Sequence, residues 1–253
     1  MIRCAADLHI HTVLSPCASR EMRPPAIVRA ALERRLSVLA VCDHNSAGNT
    51  EAVRAASQAA GGPTVIAGME ITTREEVHVL GLFPSDEAAR AAAAAVAAGL
   101  PRWRPLAPRT SRGGGRSPEQ ELVDADGKLR CLEPLMLAAA SALSLSEAVA
   151  LIHAHGGLAV AAHMDRRSFS VPGQLGFLPP DVPFDGLEVS AAGVARGRQA
   201  EFAAYGLPLV SSSDGHFLDD IGTGFTVLDV REPVWEEIAL ALRGAEGRRC
   251  SLA

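Results

Sequence analysis

Three polar side chains alternate with two aliphatic ones near the start of the sequence, in the order Asp7-Leu8-His9-Ile10-His11. A period of two is that of a β-strand, so the carboxylate and both imidazoles are predicted to share one face. Imidazoles two residues apart lie about 7 Å from each other along a strand, and they can converge on one divalent cation. The alternative is a pair of exposed or core histidines that alternate by chance, because His-x-His is a short pattern. Whether later strands also end in metal-binding residue types distinguishes a metal site from a chance pattern.

Later apolar segments also lead into metal-binding residue types. The predicted strands at 37–42, 64–69, 76–83, 158–162 and 207–210 each carry or precede such residues, namely Asp43, His44, Glu70, His78, His163, Asp214 and His216. In a (β/α) barrel, residues at strand ends converge on one face. Mixed sets of imidazoles and carboxylates favour zinc, manganese or iron, and this set exceeds the four ligands of one closed zinc site. We therefore predict two or three divalent metal ions.

Strands and helices alternate along most of the chain, as in a (β/α) barrel. Besides the strands, helices are predicted at 26–35, 50–60, 85–98, 146–155, 194–205 and 233–243. The sequence thus predicts one α/β barrel domain over residues 1–253, interrupted by an irregular insertion at about 100–135.

The insertion is rich in proline, glycine and arginine, with no acidic residue among its arginines Arg102, Arg104, Arg109, Arg112 and Arg116. Prolines and three consecutive glycines prevent regular structure over most of it. Guanidinium groups on a lid would meet an anionic substrate, whereas a plain surface loop would leave them in water. Both readings stay open for the insertion.

Composition and charge disfavour several partner classes. The net charge of −5 argues against a nonspecific nucleic-acid or membrane-surface binder. No apolar run approaches the ~20 residues of a membrane span, and the N-terminus lacks the apolar segment of a signal peptide. Five scattered cysteines give no disulfide framework. We expect a cytoplasmic protein with a small-molecule partner.

Cys17 follows His11 by six residues, in a loop that contains Pro16. As a thiolate it would suit a soft divalent metal such as zinc. An isolated cysteine is also commonly a small buried apolar residue, so spacing alone leaves both roles open.

An ordered set of motifs carries a resemblance to a known family: His9-x-His11, Asp43-His44, Gly68-Met69-Glu70, His78, Ala162-His163-x-x-Arg166 and Ser213-Asp214-x-His216. The set resembles that of the PHP (polymerase and histidinol phosphatase) superfamily over nearly the whole chain. Within it, the chain is similar to the stand-alone metal-dependent phosphoesterases. The resemblance implies a distorted (β/α)7 barrel, like a TIM barrel, with a cleft for three metal ions.

The resemblance also implies which residues bind each metal ion. The first ion is expected to be bound by His9, His11, Glu70 and Asp214. Glu70 would bridge to a second ion, completed by His78 and His163. The third ion would be bound by His44, His216 and Cys17, the last at a position where many relatives have histidine or aspartate.

The implied activity is hydrolysis of a phosphomonoester of a small metabolite or nucleotide by metal-activated hydroxide. Arg166 is predicted to clamp the phosphate, with a surface ion pair as its alternative role. Asp7 is predicted to be a catalytic residue together with Arg166. Asp7 and Asp43 are expected to orient imidazoles, with Glu188 as a further supporting carboxylate. Two alternatives remain open: a phosphodiesterase or exonuclease, and a non-catalytic, metal-stabilised regulatory module.

Overall fold

A nine-stranded sheet forms the centre of the structure, a computed structural model that describes residues 1–102 and 119–253. Its strands and those of a separate hairpin are β1 (Ile2–Ile10), β2 (Val38–Val41), β3 (Thr64–Thr72), β4 (His78–Phe83), β5 (Glu121–Val123), β6 (Leu129–Leu132), β7 (Leu158–Ala161), β8 (Gly186–Glu188), β9 (Leu209–Val210), β10 (Thr226–Val230) and β11 (Arg249–Leu252). The order in the large sheet is β11-β10-β1-β2-β3-β4-β7-β8-β9, and β5 pairs with β6.

Helices follow most of the strands along the chain. Within the described ranges they are α1 (Pro24–Glu33), α2 (Thr50–Ala60), α3 (Asp86–Ala97), α4 (Leu145–Ala154), α5 (Val171–Leu175), α6 (Ala191–Ala195), α7 (Gln199–Ala203) and α8 (Trp235–Leu242), with a 3-10 turn at Leu218–Asp220. Local sequence sets several of their ends. Ser144 and Glu147 form a reciprocal capping box at the start of α4, for example, and Ser85 caps α3.

The sheet curves into a nearly closed barrel. Strands β1, β2 and β3 are parallel, as are β7, β8 and β9, whereas β4 and β10 run antiparallel to their neighbours. The segment after β9 returns to β1: Ile10 and Gly215 form a parallel bridge, and the His11 N–H donates to the Gly215 carbonyl at 2.9 Å. The predicted barrel-like α/β fold is confirmed. The sheet has nine strands, and strands and helices do not alternate strictly along the chain.

Apolar side chains cover both faces of the sheet. One cluster joins the strands to α8, and it includes Leu8, Ala40, Leu80 and Ile238. Further clusters fill the space between the strands and the helices α1 to α4. Every residue of β2 is buried, as expected for a strand that is packed on both sides. The polar residues at the strand ends therefore stand on a rigid scaffold.

A bulge interrupts β1 just before its first histidine. Asp7 pairs with Leu39 of β2 and the next pair joins Ile10 to Val41, so β1 holds two residues between these pairs where β2 holds one. An extra residue reverses the alternation of faces. Leu8 and Ile10 consequently pack in different core clusters. The prediction that Asp7 shares a face with both imidazoles is wrong for this reason.

Two other differences from the predicted elements have local causes. The helix expected over 194–205 is divided into α6 and α7, because Gly197 adopts a left-handed φ of 74° between them. The edge strand β11 was not predicted, since its four residues alternate only weakly in polarity. In both cases the sequence signal is short, and tertiary pairing decides the structure.

The arginine-rich insertion is described only in part. Arg104, Arg109, Arg112 and Arg116 lie outside the described residues, whereas β5 and β6 form a hairpin in the later part of the insertion. Arg23 holds this hairpin through an ion pair in which its Nη2 atom lies 2.5 Å from Oε2 of Glu121.

No helix in the described ranges is both long enough and apolar enough to cross a bilayer.

Candidate metal centre

Glu70 lies at the middle of a buried polar cluster, near the end of β3. Its Oε1 atom lies 2.7 Å from Nδ1 of His78 and 3.2 Å from Nε2 of His163, and its Oε2 atom lies 3.0 Å from Nδ1 of His44. Burial raises the pKa of Glu70, but the imidazoles of His78, His9 and His44 lower it more, so it lies well below its ordinary value. The carboxylate is therefore ionised and shared among several imidazoles.

His9 and His11 extend the cluster from the end of β1. Their Nε2 atoms lie 3.2 Å apart, and Oδ1 of Asp214 lies 3.3 Å from the first and 3.1 Å from the second. Burial lowers the pKa of His11 to about 3, which keeps its imidazole neutral, as a metal ligand must be. Burial also lowers the pKa of His9, but Glu188, Asp214 and Glu70 raise it more, so the net shift is upward. The carboxylates thus draw positive charge into the cluster.

Cys17 joins two further imidazoles at the exposed edge of the cluster. Its Sγ atom lies 3.2 Å from Nε2 of His44 and 3.1 Å from Nε2 of His216. Burial raises the pKa of this thiol, but hydrogen bonds with His216 and His44 lower it more, to about 7. A sulfur atom and two imidazole nitrogens therefore meet where the resemblance implies a third ion.

The donor atoms of the cluster fit divalent metal ions. Three groups of side chains bring their donor atoms within 4.8 Å of one another: His9, His11 and Glu70; His44, Glu70 and His78; His11, His44 and His216. Within the described chain, the buried Nδ1 atom of His163 has no hydrogen-bond partner, and those of His44 and His78 have only the Glu70 carboxylate near them. Buried polar atoms without partners are costly unless another group satisfies them. Imidazole and carboxylate donors suit borderline divalent cations.

Supporting carboxylates lie behind the candidate ligands. Glu188 accepts from His9 Nδ1 at 3.2 Å and from the His163 backbone N–H at 2.9 Å. Asp43 reaches His11 indirectly: Ser15 donates to Asp43 at 2.6 Å, and its Oγ lies 2.9 Å from Nδ1 of His11. Such partners fix the orientation of the rings. Sequence reasoning missed Ser15, which has no distinguishing spacing.

Asp7 is buried away from the imidazole nitrogens. Its carboxylate accepts from the backbone N–H groups of Gly222 at 2.8 Å, Ser213 at 3.0 Å and His9 at 3.5 Å. Burial raises its pKa to about 6, and these hydrogen bonds oppose the rise. In the structure, Asp7 holds the segment that delivers Asp214 rather than lining the cleft.

The cluster forms the floor of an open cavity of about 710 Å³. Arg166 lines it and donates to Oδ2 of Asp214 at 2.5 Å, so it is placed both in an ion pair and in the cleft. Arg167, Arg196 and Phe169 line the same cavity, and sequence reasoning singled out none of them. Cationic side chains around a set of metal-ligand types suit an anionic substrate.

Comparison with known proteins supports the fold. A family model described as PHP-associated matches residues 197–246, and no curated protein matches the sequence. Among solved structures, the lesion-specific endonuclease Q from Pyrococcus furiosus is similar, with a TM-score of 0.72 and 19% identity over 98% of this chain and 58% of that one.

Residues 197–246 are thus similar to the PHP-associated family, and the chain shares the fold of endonuclease Q.

Two further structures share this fold. A complex of endonuclease Q with a 27-mer duplex carrying an abasic lesion has a TM-score of 0.69 and 18% identity, over 98% of this chain and 58% of that one. A protein from Bifidobacterium adolescentis, assigned as a metal-dependent phosphoesterase, has a TM-score of 0.55 and 23% identity, over 83% of this chain and 87% of that one. The chain thus spans little more than half the length of endonuclease Q. At these identities the likeness shows a common fold.

Proposed function

We propose that this chain is a metal-dependent phosphatase that hydrolyses phosphomonoesters of small metabolites or nucleotides. The observation that carries the proposal is Glu70, whose two oxygens lie within 3.2 Å of three imidazoles at the floor of an open cleft. A carboxylate whose two oxygens face different imidazoles could be shared by two adjacent divalent ions. The structural similarity to an assigned phosphoesterase also supports it.

We infer two or three ions of zinc, manganese or iron. His9, His11, Glu70 and Asp214 would hold the first ion. Glu70, His78 and His163 would hold the second, with His44 also in reach of Glu70, and His44, His216 and Cys17 would hold the third. When bound, such ions neutralise phosphate charge and supply a nucleophile from water near neutral pH. The cysteine favours a soft ion such as zinc in the third position.

The protein's own residues have separate tasks in this reaction. The Arg166 side chain is 43% exposed beside Asp214, so the remaining N–H groups of its guanidinium can donate to phosphate oxygens in the cleft. Glu188 and the Asp43–Ser15 pair hold His9 and His11 in fixed orientations. We also place this reaction in the cytoplasm.

A second candidate is a phosphodiesterase or nuclease, favoured by the similarity to endonuclease Q. The acidic net charge weighs against nucleic acid as the principal substrate. The third candidate is a non-catalytic, metal-stabilised module. It does not account for the arginines around the cleft.

Two chromogenic esters separate these readings. Protein loaded with zinc, manganese or iron should hydrolyse p-nitrophenyl phosphate faster than bis(p-nitrophenyl) phosphate. The reverse order would favour the phosphodiesterase. Inactivity on both esters, with bound metal verified by elemental analysis, would leave the non-catalytic module.

Glu70→Gln supplies the matched test of the site. The change keeps the shape of the side chain but removes the bridging charge, so activity should fall at least about 100-fold, together with metal content. Glu87→Gln, an exposed change in the first turn of α3, serves as the control and should leave both unchanged.

A further inference from the structure

Phe169 lies against the candidate metal centre without a role in the proposed hydrolysis. It belongs to the loop between β7 and α5, and its ring stacks on His78 with centroids 4.5 Å apart and planes 16° apart. His78 in turn lies 2.7 Å from Glu70. The aromatic ring is thus separated from the Glu70 carboxylate by a single imidazole.

The free side of this ring faces the cleft. His78 covers one face of the ring, yet Phe169 remains 41% exposed and lines the cavity. Phe177 and Phe217 are more exposed, but neither of them lines this cavity. The exposed area of Phe169 is therefore available to a ligand in the cleft.

The loop holds the ring in place. The Phe169 carbonyl accepts from the His78 backbone N–H at 2.8 Å, and Ser170 donates to the Arg166 carbonyl at 2.5 Å while capping α5 through Gly173 N–H at 3.0 Å. A ring fixed in advance loses little freedom when a ligand stacks on it.

Backbone conformation sets Phe169 apart in the same way. Its φ is 60°, in the left-handed region, which is unfavourable for a bulky residue. Two candidate metal ligands that line the same cavity, His163 and Asp214, also have a positive φ. Phe169 shares this conformation although its ring offers no donor atom to a metal ion.

We propose that Phe169 is a specificity residue whose ring stacks on a planar aromatic or heteroaromatic ring in the substrate, as in a nucleoside monophosphate. The inference rests on the proposed phosphatase function and narrows its substrate class. A phosphate held by Arg166 and by the metal ions that Glu70 would bind leaves the rest of the substrate in the same cavity, which His78 and Phe169 also line. The cavity of about 710 Å³ is of the size that holds such a molecule. Offset stacking between aromatic rings then adds affinity beyond the phosphate contacts.

AMP and ribose 5-phosphate test the proposal, because they share the phosphate and sugar and differ in the base. Metal-loaded wild-type protein should show a kcat/KM for AMP about tenfold above that for ribose 5-phosphate. Phe169→Leu, which removes the π-face but keeps an apolar side chain, should abolish this ratio. Phe169→Tyr should preserve it. Because both substrates are compared in the same variant, any change in metal content affects both alike.

A supporting role for the ring behind His78 predicts a different pattern. In that case Phe169→Leu would lower kcat/KM for both compounds equally and leave the preference for AMP intact, which would overturn the proposal. Equal wild-type values for the two compounds would overturn it as well.

Calorimetric binding of the same two ligands separates this inference from the function on which it rests. Tighter binding of AMP that depends on Phe169, without phosphate release, would refute the phosphatase function and keep the stacking role of Phe169. Phosphate release from both compounds at equal rates and affinities would refute the stacking role and keep the phosphatase function. Binding of neither ligand would refute both proposals.

Discussion

Arg166 and Asp214 form an ion pair that connects the rim of the cleft to its floor. Nη1 of the arginine lies 2.5 Å from Oδ2 of the aspartate, and Oδ1 of the same carboxylate lies 3.1 Å from Nε2 of His11. Burial alone would raise the pKa of Asp214, but His9 and His11 lower it below its ordinary value. One carboxylate therefore serves a candidate metal ion on one side and a guanidinium on the other.

Arg166→Ala is expected to lower kcat/KM for p-nitrophenyl phosphate about 10- to 100-fold, because it removes a charged phosphate donor and frees Asp214. Arg166→Lys should recover little of this, since an ammonium cannot bridge a carboxylate and a phosphate with parallel bonds. Steady-state kinetics and metal content should be measured together. A raised KM at full metal content indicates a phosphate clamp, and parallel loss of metal indicates an effect through Asp214.

Arg90→Ala provides the control for Arg166. Arg90 pairs with Glu51 at 2.8 Å on the helical surface, where more than half of its side chain is exposed. Its removal should leave kinetics and metal content unchanged. Unchanged kinetics and metal content in Arg166→Ala would show that Arg166 neither binds the phosphate nor acts through Asp214.

Glu188→Gln should weaken zinc binding about 10- to 100-fold, the usual effect of changing a partner behind a ligand. The amide keeps the size of the side chain but loses the negative charge that faces His9 Nδ1 at 3.2 Å. Competition with a chromophoric chelator measures the affinity. Glu201→Gln, an exposed change in a pair with Arg198, is the matched control. Equal affinities in the two variants would contradict the assignment of Glu188.

The sequence predicts the candidate metal ligands more fully than it predicts the residues that surround and orient them. Glu70 and His163 could be placed because a strand brings its terminal residues to a common face, and their types suit metal ions. The ring of Phe169 could not be placed, since an aromatic residue in a polar loop gives no sign of what it will stack on. Asp7 was placed on the wrong face, because a bulge of one residue leaves no pattern in the sequence.

Cys17 should react with iodoacetamide at neutral pH when the protein is free of metal. Its pKa of about 7 lies below the ordinary value of 9.0, so the alkylation rate should rise as the pH passes about 7 and the thiolate forms. Zinc should suppress the reaction if sulfur binds the ion with His44 and His216. Mass spectrometry locates the label, and Cys131, an exposed thiol outside the cleft, is the internal control.

Reaction of Cys17 at the same rate with and without bound zinc would show that sulfur does not bind the ion. Cys17→Ser should then leave the zinc content unchanged. If sulfur is a ligand, the variant should lose one equivalent of zinc and keep the ions that Glu70 shares.

The acid stability of the fold should depend on a buried ion pair far from the metal cluster. Glu237 of α8 lies 2.5 Å from Nη2 of Arg248, just before β11, and accepts from the Arg231 backbone N–H at 2.8 Å. The bonds with Arg248 and Arg231 lower the pKa of Glu237 from 4.5 to about 2. Because the folded-state pKa is depressed, the stabilisation is complete above pH 4.5 and is lost as the pH falls from 4.5 towards 2.

Glu237→Gln should therefore lower the Tm at pH 7, and the difference from wild type should shrink steadily below pH 4.5 and vanish near pH 2. Thermal denaturation of both proteins across this range measures it. Glu236→Gln changes the neighbouring, exposed carboxylate and should follow the wild-type curve. A Tm difference that stays constant from pH 7 to pH 2 would show that the pair stabilises the fold through packing, because a contribution from charge must disappear when Glu237 is protonated.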